Sequence, residues 1–292
     1  MSTAQAVQER FQDTDRMFPY EKWTPRLPAL ARRYRENTPC PHIMLQDFLA
    51  PSTALAMAVQ FPQAASDAWT QYKHANENKL GMAKRQLFPP ALAAVTDELN
   101  SPEFAAWVSQ LTGIPNLMSD PMLEGGGLHQ SGPGGYLNVH TDFSLHHFHT
   151  HWRRRVNLIL YLNPGWRDEW GGALELWEQK MVRCAAKYSP MLNHALIFTT
   201  DERSLHGFPD PLTCPKGVSR KSLALYYYTV ENDKKSTGHS TDYFARPQDG
   251  RRKSAMIWLD KKAVDLYSRA KARFGFSDAF ASKVLGFLSG KK

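Results

Sequence analysis

The sequence predicts an α+β protein: a double-stranded β-helix (jelly-roll) barrel with N-terminal helices packed on it and a C-terminal helical extension. Three observations predict it. Between Gly125 and Val230 the chain breaks into short β-type runs at even spacing, separated by turn residues. His140 and Asp142 stand two apart in one such run and His206 in a later one, so metal-ligating side chains arrive from two barrel walls. On either side of this region the apolar spacing is helical.

Taken in order, residues 1–37 are polar, contain Pro25 and Pro28, and read as a partly ordered arm. Residues 38–124 read as a mainly helical N-terminal part of the catalytic domain. His42 to Leu49 is a strand and turn. Pro51 opens an amphipathic helix to about Gln60, with Ser52 or Thr53 as N-cap, and Phe61-Pro62 ends it. Ala91–Leu99 and Pro102–Leu111 are two more helices. Residues 125–230 are the jelly-roll core, with runs at Tyr136–His140, Arg155–Leu162, Gly172–Trp177, Ala195–Thr199 and Ser222–Thr229. Residues 231–292 form a basic helical extension. After a polar link to Gly250, Leu259, Ala263, Leu266, Tyr267, Ala270 and Phe274 make a helical stripe, and a Trp258/Leu266/Phe274 face is expected to pack on the barrel.

In an extended strand, residues i and i+2 share a face, so His140 and Asp142 present an imidazole and a carboxylate side by side. With His206 they make two His and one carboxylate, the facial set of non-haem Fe(II) sites with open positions. A competing cluster, His146, His147, His149 and His151, holds no carboxylate of its own and reads as lining the barrel mouth or as a solvated loop. Zinc is the alternative metal, but its sites favour Cys and His in closed tetrahedral sets or three ligands plus water. Arg220 offers a planar fork that can grip a carboxylate at two points. Tyr161 shares a face with Asn157 and Ile159 and places a phenol beside it. Ser222 lies on the face of Arg220. Tyr136 and Asn138 share the face of His140 and are expected to point into the barrel. Gly171 and Gly172 are suited to positive φ or close backbone approach.

Hydrophobic content of 42% and charged content of 22% are ordinary for a globular chain, and 12% aromatic suits a β-rich core. No run approaches the roughly 20 apolar residues of a membrane span. Cys40, Cys184 and Cys214 are few and far apart, which excludes a disulfide scaffold and a paired-cysteine zinc site. The first residues lack a secretory pattern. The expected location is the cytoplasm, with the inner face of the membrane as an open variant. Residues 231–292 carry 14 Lys/Arg against 7 Asp/Glu, so they hold nearly all of the chain's net +8. The bland reading is solvated charge; the sharper one is contact with an anionic membrane surface. No motif supports specific nucleic-acid binding.

At these residues the sequence resembles the prolyl-4-hydroxylase-like branch of the 2-oxoglutarate/Fe(II)-dependent dioxygenases. The likeness rests on His140-Thr-Asp142, Arg155 to Asn163, Trp170 to Leu176, Ser204-Leu-His-Gly207 and Arg220 to Tyr228. It implies that His140, Asp142 and His206 bind Fe(II), and that Arg220, assisted by Tyr161, binds the far carboxylate of 2-oxoglutarate. It further implies O2 as co-substrate, ascorbate as a candidate reductant, and hydroxylation of a C–H bond coupled to release of succinate and CO2. The Pro-containing gap from His206 to Arg220 and the His-rich loop depart from the compact animal prolyl hydroxylases. Both lie near the substrate entrance, so a small molecule, saccharide or glycolipid is expected, with a prolyl peptide as the alternative. A metal-binding barrel without turnover is the rival outside enzymes. The oligomeric state stays open.

Overall fold

In the computed structural model of the chain, residues 16–231, 238–260 and 262 are described. They form one antiparallel sheet that rolls up into the jelly roll, in the order β1-β10-β7-β12-β5-β3-β6-β11-β8-β9. These strands are β1 His42–Leu45, β3 Glu77–Met82, β5 Gly127–Ser131, β6 Tyr136–Thr141, β7 Trp152–Tyr161, β8 Leu174–Trp177, β9 Cys184–Tyr188, β10 Ala195–Thr199, β11 Leu205–Phe208 and β12 Arg220–Val230. Off this path, β2 (Thr70–His74) pairs with β3, β4 (Met118–Ser119) with β12, and β13 (Asp242–Tyr243) with β6.

The two faces of β7 and β12 follow the period-2 alternation of their sequences. Val156, Leu158, Leu160, Leu223, Leu225 and Tyr227 point outward and are buried under the helices. Each such aliphatic side chain contributes about 1.5–3 kcal/mol by leaving water. Helix Pro102–Thr112 supplies Phe104, Trp107, Val108 and Leu111 to this core, and Pro90–Leu99 supplies Leu92, Val95 and Leu99. The Ser101 hydroxyl caps the first of these, accepting from the Phe104 N–H at 3.1 Å. Gly113 ends it at φ +77. The opposite face of the strands, with Asn157, Ile159, Ser222 and Tyr226, lines the barrel cavity.

Several expectations need correction. The polar arm is well built from residue 16 on: helix Leu27–Glu36 buries Leu27, Leu30, Ala31 and Tyr34, and Phe18 and Trp23 join the same core. Its charged residues occupy one face only, and the i, i+3/i+4 apolar spacing wins. Residues 1–15 lie outside the described residues. Helix Pro51–Gln60 has Ala50 as N-cap with no side-chain cap. Pro51, with φ already set, starts the helix and places Ser52 and Thr53 inside its first turn. The sheet begins well before residue 125, because β3 pairs with both β5 and β6. β9, which pairs with β8, was not expected either. In the C-terminal extension, residues 251–260 are helical, but Ile257 is the docked side chain while Trp258 and Leu259 are exposed. The rest of the expected stripe lies outside the described residues.

Candidate metal centre and anion clamp

His140 on β6 is directly paired with His206 on β11, so the two rings meet across one rung of the sheet, centroids 4.4 Å apart. Each ring is fixed by a carbonyl two residues back. His140 Nδ1–H donates to Asn138 O at 2.9 Å, and His206 Nδ1–H donates to Ser204 O at 2.8 Å. A proton on Nδ1 leaves Nε2 as a free lone pair. Both Nε2 atoms face Asp142: His140 Nε2 is 3.6 Å from Oδ1, and His206 Nε2 is 3.4 Å from Oδ2. The three ligand atoms lie within 4.8 Å of one another, the one such cluster among the described residues.

The electrostatics favour the metal-ready forms. Burial, then the neighbouring His140 ring, push His206 down to about 4, so it is neutral at ordinary pH. Burial alone would raise Asp142, but the Arg154 guanidinium and then the two imidazoles outweigh it and hold the carboxyl well below its usual range. Two imidazoles and an ionised carboxylate form a donor set that fits Fe(II).

Of the other expected residues, Arg220 is buried and lines the cavity. Its Nε donates to Gly172 O at 2.7 Å, and its guanidinium lies 4.2 Å from the Phe208 ring centre. Gly172 has φ +77, and a Cβ there would stand 3.0 Å from Arg220 Cδ, so both the turn and the close approach require glycine. Tyr161 is fully buried with its hydroxyl 3.5 Å from Arg220 Nη2. It backs the guanidinium rather than lining the cavity. Ser222 lines the cavity, directly paired with both Tyr161 and His129.

Tyr136 and Asn138 do not face the cavity. The pairing of β6 with β11 shifts register between His206 and Phe208: His206 opposes His140 while Phe208 opposes Leu137. The extra β6 residue is a β-bulge, which inverts the alternation, so Leu137 lines the cavity in their place. Tyr136 Oη–H donates to His74 O at 3.0 Å, and Asn138 Nδ2 donates to Ala75 O at 3.2 Å. The His-rich loop also turns away. His146 is fully buried, with Nε2 3.4 Å from Asp120 and Nδ1 3.2 Å from Glu124, and His147 Nδ1 bonds to Glu124 at 2.6 Å. Those carboxylates come from a distant loop, which local sequence could not show. None of the four histidines lines the cavity.

Sequence reasoning missed Arg154, Asn157, Lys79, Glu77, His129 and Tyr243, all of which line the cavity. Lys79 Nζ pairs with Glu77 at 2.8 Å on β3. Burial, then Lys79, push His129 down to about 3, so a neutral imidazole stands near two cations. The Tyr243 ring lies 5.7 Å from that of His140. The alternation of β7 carried a signal for Asn157; nothing local marked the β2–β3 hairpin or Tyr243.

Residues 126–228 match the family model described as the 2OG-Fe(II) oxygenase superfamily. The chain carries a 2OG-Fe(II) oxygenase domain. The oxygenase has the prolyl-4-hydroxylase-like fold, and its cofactors are Fe(II) and 2-oxoglutarate. It is similar to a prolyl hydroxylase from Trichoplax adhaerens, solved in complex with a hypoxia inducible factor oxygen degradation domain peptide fragment. The identity is 16%, covering 69% of this chain and 88% of that one, with a TM-score of 0.50. A Pseudomonas putida prolyl-4-hydroxylase aligns at 21% identity over 69% of this chain and 99% of that one, TM-score 0.45. HygX from Streptomyces hygroscopicus, solved with nickel, 2-oxoglutarate and hygromycin B, aligns at 12% identity over 65% and 83%, TM-score 0.42. No curated protein matches the chain in sequence. Among the described residues no helix is long and apolar enough to cross a membrane.

Proposed function

We propose that the oxygenase hydroxylates an unactivated C–H bond of a small molecule, saccharide or glycolipid. His140 Nε2, His206 Nε2 and one oxygen of Asp142 hold the iron, and Arg220 binds the far carboxylate of 2-oxoglutarate. When bound, Fe(II) would activate O2, the oxidant: 2-oxoglutarate supplies two electrons and leaves as succinate and CO2, one oxygen atom going to succinate and the other to the new hydroxyl. The protein's share is placement. The carbonyls of Asn138 and Ser204 aim the two imidazoles, and Tyr161 braces Arg220. The side chains of Tyr136 and Asn138 hold the turn at residues 74–76 and do not contact the cosubstrate in this reading.

The observation that carries the substrate reading is the cavity of about 1030 Å³. It reaches from the three ligands to the β2–β3 hairpin, and Thr241 and Tyr243 approach from the far end of the chain. The Glu77–Lys79 pair stands among apolar walls that include Trp69, Leu137 and Ile159, and offers hydrogen-bond partners to a substrate that carries polar groups. The prolyl-hydroxylase fold supports a second reading, a prolyl peptide. Most of the basic extension lies outside the described residues; its contact with anionic membranes remains part of this proposal, checked by salt-sensitive vesicle binding.

Anaerobic titration with Fe(II) and 2-oxoglutarate tests the cofactor sites through the visible iron-to-keto-acid absorption band. The wild type should show the band and His206→Ala should not. A band of full strength in His206→Ala would remove the ligand assignment. Succinate release stimulated by saccharides but not by prolyl peptides would support the first substrate reading, and the reverse would establish the second.

A further inference from the structure

The proposed iron ligand Asp142 is tied into a closed ring of three side chains. Asn157 Nδ2 donates to Asp142 Oδ2 at 2.8 Å, and Arg154 Nη2 stands 3.0 Å from the same oxygen. Arg154 Nε in turn donates to Asn157 Oδ1 at 2.8 Å. The guanidinium lies between two rings, 3.3 Å from the Tyr226 centre and 4.7 Å from that of Phe143, and its side chain is 1% exposed.

Arg154 and Asn157 are three apart on β7, and a regular strand would put them on opposite faces. The pairing of β7 with β12 shifts register here: Tyr228 opposes Arg154 and Tyr227 opposes Val156. Arg155 is the extra residue of a bulge, and the inverted alternation brings Arg154 to the cavity face beside Asn157.

The Asn157 hydrogen bond and the Arg154 ion pair both fall on Oδ2, which also stands 3.4 Å from His206 Nε2. Oδ1 is left facing His140 Nε2 at 3.6 Å. We propose that Arg154, with Asn157, is a positioning residue that fixes the orientation of the Asp142 carboxylate toward the two imidazoles. This rests on the ligand assignment above. A freely rotating carboxylate could turn out of line with the two Nε2 atoms and so would be a poorer metal ligand. The Asn157 hydrogen bond and the Arg154 ion pair on Oδ2 restrain that rotation, and the stacked, buried guanidinium keeps the charge in place.

The test uses the full chain with Co(II) alone as probe, reading its visible absorption spectrum and dissociation constant without 2-oxoglutarate. Arg154→Met preserves the stem and removes the donors. It should alter the Co(II) spectrum and weaken binding about 10–100-fold, the usual effect of losing a group that orients a metal ligand. Arg154→Lys should recover part of the affinity. Asn157→Leu keeps the bulk, removes the second donor and should shift the spectrum the same way, so the readout survives if Arg154→Met does not fold. Wild-type spectrum and affinity in the folded variants would overturn the positioning role, even with turnover lost, and make Arg154 a substrate contact. Undiminished Co(II) binding in His206→Ala would instead sink the ligand assignment, a result separable from the first.

Discussion

The Arg220 guanidinium uses Nε on the protein itself, in the 2.7 Å bond to Gly172 O, and Nη2 on the Tyr161 hydroxyl at 3.5 Å, while the side chain lines the cavity. That fixes the plane of the fork before an anion arrives, so little side-chain freedom is lost on binding. Arg220→Ala should raise the 2-oxoglutarate concentration for half-saturation about 10–100-fold, the range expected for losing a charge-assisted hydrogen bond of about 1.5–3 kcal/mol. The iron-site spectrum without 2-oxoglutarate should be unchanged. Tyr161→Phe should have a weaker effect in the same direction, because the phenol contacts Arg220 at 3.5 Å and does not line the cavity. Titrations of 2-oxoglutarate binding in the two variants check both, and equal affinity in Arg220→Ala would remove the clamp.

At the scale of strands, two β-bulges aim the side chains of this site. Strict alternation was enough to bring His140 and Asp142 together and to set Asn157, Ile159 and Tyr161 on one face. It failed at Tyr136 and Asn138 because the extra β6 residue inverts their facing, and a bulge has no mark in one sequence. It passed over Arg154 for the same reason. Helices were legible where Pro and apolar spacing coincide, as at Pro51 and Pro102. The β2–β3 hairpin was not, since Thr70–His74 has no apolar alternation and its pairing is set by distant strands. The β6 bulge leaves Gly207 no room for a side chain: a Cβ would stand 2.8 Å from the carbonyl oxygens of both Leu137 and Asn138. Gly207→Ala should therefore cost about 1–3 kcal/mol of stability and weaken metal binding by displacing its neighbour His206. Gly132→Ala, where a Cβ meets nothing within 4 Å, should be silent. Melting curves and Co(II) titrations separate the two; matched behaviour would mean that the bulge relaxes freely.

Across the whole molecule, one chain of charges joins the C-terminal helix to the cavity. Asp260 lies 2.6 Å from His74 Nδ1, His74 Nε2 lies 2.9 Å from Glu77, and Glu77 pairs with Lys79. Residues nearly 190 positions apart are thereby linked beside the hairpin that walls the site. Burial alone would lower His74, but Asp260 and then Glu77 overcome it and lift the imidazole to about 9. A group whose folded pKa lies above its unfolded value, here 6.5, stabilises the fold fully below the lower value and loses that contribution as pH rises through the higher one. The wild type should thus lose stability between about pH 6.5 and 9, by at most about 3 kcal/mol from this group. His74→Gln should be less stable than the wild type at pH 6, and the gap should close by pH 9.5. Denaturant unfolding across that range provides the check. A gap that stays constant with pH would mean that His74 is neutral in the fold, and that the C-terminal helix is held by Ile257 packing and uncharged hydrogen bonds instead.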